Sequence, residues 1–156
     1  MRGLSNEHTQ AGVEIIGFPV HQALEEAVIS AKEALDVAGV RNYKFEFSHA
    51  QLLQLIFEEL NLPAVKEAEL ATYIRDKSIT GLKEFTKENP SQYDKVLEQL
   101  PSLFGETTAV LTEARQLTDN ESFLTALDSL EVLTSRLADN LPETTLDLAQ
   151  LPAVPY

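Results

Sequence analysis

The 156-residue sequence predicts an α+β fold with a largely helical middle region. Three observations carry that expectation. Two β-rich segments, Gln10 to Phe18 and Tyr43 to Phe47, lie on either side of an amphipathic stretch; helical spacing then runs from Ala50 to Asn140; extended chain returns after Pro142. The organisation reads as one domain: strand, helix, strand over residues 1–49, a helical insertion over residues 50–140, and extended chain again over residues 141–156. A chain of this length can bury one ordinary core and is too short for two comfortable ones.

Each element has a local reason. Gln10 to Phe18 is β-branched and stops at Pro19, the pattern of a buried strand; period-two geometry puts Gln10, Gly12, Glu14 and Ile16 on one face. From Val20 to Ala38 apolar residues recur at Leu24, Ala27, Val28, Ala31 and Leu35, with Gly39 where a left-handed helix end is expected. Tyr43-Lys44-Phe45-Glu46-Phe47 alternates aromatic and charged residues, as a half-buried strand does. Whether the opening strands run parallel or antiparallel is not set by periodicity.

Ser48 is positioned to cap a helix with the stripe Leu52, Leu53, Ile56, Phe57 and Leu60, ending near Asn61. Pro63 can open the next, through Leu70 and Ile74, and Ser78 a short one with Leu82 and Phe85. Asn89-Pro90 reads as N-cap and first helical residue of a helix carrying Tyr93, Val96, Leu97 and Leu100, closed by Pro101. Gly105 supplies a turn before a helix with Val110, Leu111, Ala114 and Leu117. Asn120 caps a long final helix with Phe123, Leu124, Leu127, Leu130, Leu133 and Leu137 along one side. Thr144 to Leu148 reads as extended.

Composition excludes several function classes. Twelve Lys plus Arg against 25 Asp plus Glu leave a formal net charge of −13, a field that repels nucleic-acid phosphates and anionic lipid. With no cysteine there are no disulfides, thiolate nucleophiles or sulfur-ligated metals. Met1 to Gln10 lacks the apolar core of a signal peptide, and no apolar run approaches the ~20 residues that span a bilayer. A cytoplasmic location, with neither nucleic acid nor membrane as partner, is the expectation.

Catalytic signatures are missing. There is no dinucleotide glycine fingerprint, phosphate-loop lysine, HExxH or GxSxG. His21 and Glu25 stand one helical turn apart, but nothing supplies a third ligand, so no metal site and no cofactor are expected. Glu25-Glu26, Glu58-Glu59 and Glu67 with Glu69 read as solvated helix faces. Gln10 and Glu14 differ: a carboxamide and a carboxylate share one face of an apolar strand across Gly12, which leaves room for a ligand with an ammonium or imidazole group. Pairing within the protein is the alternative for both, since buried polar groups usually find internal partners. His49, just after Ser48, reads either as a site residue or as part of a helix start.

Gln10-Ala11-Gly12-Val13-Glu14-Ile15-Ile16-Gly17 resembles the end of motif two in the histidyl-tRNA synthetase-like branch of class II synthetases. Glu26 to Leu35 resembles the helix that follows it. Phe45-Glu46-Phe47-Ser48-His49, followed by Leu52-Leu53, is similar to the regulatory-subunit family of ATP phosphoribosyltransferase, a paralogue of the synthetases. A synthetase would carry an Asn-Ser-x-Gly type turn where this chain reads Phe47-Ser48-His49-Ala50, which favours the paralogue. Asp76-Lys77 to Leu82 and Leu100 to Gly105 look like further landmarks, and Val154-Pro155-Tyr156 looks like the entry to a Tyr-Tyr-Thr-Gly segment, so the chain resembles an internal fragment.

The resemblance implies a class II synthetase-like antiparallel sheet interrupted by helices. It implies no catalytic residues and a regulatory role: a hetero-oligomer with a short-form catalytic ATP phosphoribosyltransferase in the first step of histidine biosynthesis, under feedback by histidine. By position, Gln10 and Glu14 match pocket residues that contact histidine, and become candidate effector contacts. Two other readings stand beside it: a histidyl-tRNA synthetase or synthetase-like ligase fragment, and a helical interaction module presenting the leucine stripe from Phe123 to Leu137.

Overall fold

A computed structural model of the chain describes residues 11–151. These fall into two units, one ending at Arg41 and the other beginning at Asn42. The first consists of irregular chain over residues 11–19 followed by helix α1, Val20–Val37. Gly39, at φ +76°, ends α1 as expected: its amide reaches Asp36 at 3.1 Å and the Val40 amide reaches Leu35 at 3.0 Å, the paired bonds of a left-handed helix terminus. The strand expected over Gln10 to Phe18 does not form across its described residues. A β-rich composition sets only a preference for extended backbone, and a strand needs ladder hydrogen bonds that these described residues do not make.

The second unit holds β1 (Phe45–Phe47), α2 (Ala50–Leu60), α3 (Ala64–Arg75), α4 (Ile79–Glu88), α5 (Asp94–Gln99), a 3-10 turn at Leu100–Ser102, β2 (Phe104–Glu106), α6 (Thr107–Arg115), α7 (Glu121–Leu137) and β3 (Thr144–Asp147). The sheet order is β1-β3-β2. Only β2 and β3 pair antiparallel, with Gly105 opposite Leu146; β1 runs parallel to β3, with Phe47 opposite Leu146. The described sheet is therefore mixed rather than antiparallel throughout. The helices between β1 and β3 supply the long crossover that a parallel pair requires.

Capping explains most helix ends. Ser78 accepts from the Gly81 amide at 3.2 Å to start α4, and Asn120 accepts from the Phe123 amide at 3.0 Å to start α7, both as the sequence predicts. Asn61 ends α2 at φ +43°. Three expected caps are different. His49, not Ser48, occupies the N-cap of α2, without a side-chain cap. Asn89 ends α4, donating from its side chain to the Phe85 carbonyl at 3.0 Å, and α5 starts only at Asp94. The Ser91 amide that an Asn89 cap would have received goes instead to Asp94 Oδ1 at 2.9 Å. Gly105 is no turn: it sits within β2 at φ +124°, a backbone region that side chains disfavour, and Glu106 caps α6 through the amides of Thr108 and Ala109 at 3.0 and 2.8 Å.

The core draws on every helix from α2 to α7. Leu52 and Ile56 share one buried cluster with Leu70, Ile74, Leu82 and Phe85 from α3 and α4, Val96 and Leu97 from α5, Leu111 and Ala114 from α6, and Leu146 from the sheet. Phe123, Leu127, Leu130 and Leu137 of α7 are buried, while Leu124 and Leu133 are half-buried. The α7 stripe is thus core, and does not serve as an interaction face. No described helix is long and apolar enough to cross a membrane.

Candidate functional site

Of the two candidate effector contacts, Gln10 lies outside the described residues. Glu14 is exposed, on the irregular chain that precedes α1. His21 and Glu25 stand one turn apart on α1, and no group of three or more His, Asp or Glu side chains that could hold a metal ion occurs among the described residues. His49 is partly buried at the start of α2; its Nδ1 finds no hydrogen-bond partner, and desolvation lowers its pKa from the ordinary value of 6.5.

Three polar clusters in the second unit use acidic residues that sequence reasoning assigned to solvated faces or did not single out. Glu59 is a hub. Its Oε1 accepts from the Tyr93 hydroxyl at 2.9 Å and from Asn120 Nδ2 at 3.1 Å, and its Oε2 accepts from Gln92 Nε2, so one carboxylate ties α2 to the starts of α5 and α7. Glu69 accepts from Lys66 at 2.9 Å and from the Tyr73 hydroxyl at 3.1 Å; these two bonds hold its carboxyl below the usual range. Arg115 forks to Asp128 and Glu131, both at 2.6 Å, joining α6 to α7.

Lys77 closes the end of the sheet. Its Nζ lies 2.8 Å from Asp147 Oδ2 and 4.6 Å from the centre of the Phe104 ring, while Asp147 Oδ1 accepts from the Ala149 amide at 3.1 Å. Two stretches singled out separately in the sequence, one beginning at Asp76-Lys77 and one ending at Gly105, thereby meet. In these clusters the carboxylates are engaged by protein donors; Glu59, Asp128, Glu131 and Asp147 tie elements together, while the Glu69 bonds stay within α3.

Two open grooves lie along α2. A groove of about 510 Å³ runs between α2 and α3, lined among others by Leu53, Phe57, Leu62 and Leu151 and by Gln54, Glu58, Asn61 and Glu67. Its signal in the sequence was the polar stripe Gln51, Gln54, Glu58 opposite the buried stripe of the same helix.

Over residues 2–156 the chain matches the family model described as histidyl-tRNA synthetase. The chain belongs to the histidyl-tRNA synthetase family. Its α+β fold is accordingly of the class II synthetase-like type. Within this family it is 51% identical, over all 156 residues, to the ATP phosphoribosyltransferase regulatory subunit of Streptococcus gordonii, of which it covers 47%. It is 38% identical over 131 residues to the protein of that name from Listeria monocytogenes, with 84% of this chain and 33% of the relative aligned. The corresponding Clostridium kluyveri protein is 33% identical over 134 residues, 83% of this chain and 34% of its own length. This member of the histidyl-tRNA synthetase family therefore spans less than half the length of these curated relatives.

Proposed function

We propose that the chain is a segment of a non-catalytic regulatory subunit, which joins a short-form catalytic ATP phosphoribosyltransferase in the cytoplasm and makes the first step of histidine biosynthesis responsive to histidine. The 51% identity across the whole chain to the S. gordonii regulatory subunit is the observation that carries this reading. The charge of −13 agrees with it, since a tRNA-binding role calls for basic surface.

In this reading Gln10 and Glu14 contribute to an effector pocket completed by the rest of the full-length polypeptide. Glu14 supplies a carboxylate for the ammonium or imidazole group of histidine, and Gln10 a donor and an acceptor. Feedback then requires histidine to bind the inhibited state of the assembly more tightly than the active one; equal affinity for both would shift nothing.

The test is a titration of the full-length parent protein into a purified short-form ATP phosphoribosyltransferase, following phosphoribosyl-ATP with and without histidine. Saturable stimulation that histidine suppresses is the expected result. Glu14→Gln should raise the histidine concentration for half-inhibition by about tenfold, equivalent to about 1.4 kcal/mol, with stimulation retained. Unchanged inhibition in that variant would remove the pocket assignment. The family model's description favours one competing reading, a synthetase: absence of stimulation, together with histidine-dependent exchange of pyrophosphate into ATP, would establish it instead.

A further inference from the structure

We draw no further inference here: the strongest candidate, the groove between α2 and α3 with Phe57, Leu62 and Leu151 half-buried in its lining, carries nothing, because nothing in the structure shows what covers it in a chain that spans less than half the length of its relatives.

Discussion

Tyr93 shows how much one side chain can commit. Its ring is buried beside Phe123, with centroids 6.3 Å apart, and its hydroxyl donates to Glu59 at 2.9 Å. Burial, and then that hydrogen bond, push its pKa from 10.0 up to about 12. The fold favours the neutral phenol, so the stabilisation is complete below pH 10 and disappears as the pH rises towards 12. Tyr93→Phe should therefore cost about 1 kcal/mol at neutral pH and flatten the loss of stability above pH 10. Urea unfolding of both proteins across that range checks it, and parallel alkaline limbs would show that other groups control the transition. Lys77 is another committed residue: its φ of +48° is uncommon for a side chain of this kind, and its contacts with Asp147 and Phe104 offset the strain. Neither role is visible in a sequence, because both depend on partners many positions away.

At the scale of elements, α3 and α4 meet with almost no space between them. A Cβ on Gly81 would stand 2.4 Å from Tyr73 Cδ1 and 2.6 Å from Cε1, closer than packed atoms come. Helix propensity alone makes Gly81→Ala stabilising; the overlap reverses the sign, and a loss of about 1–3 kcal/mol is expected in thermal unfolding. Adding Tyr73→Ala should recover part of that loss, and strict additivity of the two would contradict the packing argument. Helices α1, α2, α3, α4, α6 and α7 were legible because apolar periodicity is a local signal, as are the caps Ser78 and Asn120. The missed elements were those set by distant chain. β2, only Phe104-Gly105-Glu106, has no periodicity to read and is a strand because β3 lies beside it. The reverse holds for residues 11–18, whose composition suits a strand but which make no ladder hydrogen bonds. Of the candidate site, Gln10 lies outside the described residues and Glu14 is exposed; the groove along α2 was not legible because it needed α3 and Leu151 to be placed first.

For the molecule as a whole, the −13 charge is the dominant long-range term. The ion pairs of Lys66, Lys77 and Arg115 act over short distances, whereas the surplus of carboxylates repels across the whole surface. Raising the ionic strength should thus raise the thermal midpoint, and a midpoint that falls with added sodium chloride would show that the local pairs outweigh the collective repulsion.

The placing of β3 between β1 and β2 also matters while the chain is being made. Phe45 pairs with Thr144, and Gln150 donates to Glu46 across 104 positions, so β1 leaves the ribosome about 100 residues before its described partner exists. At ordinary elongation rates that is roughly 5–20 s. Throughout that interval Phe45 and Phe47 present aromatic surface on an unpaired strand, and a chaperone that recognises such segments would meet this chain before its sheet can close.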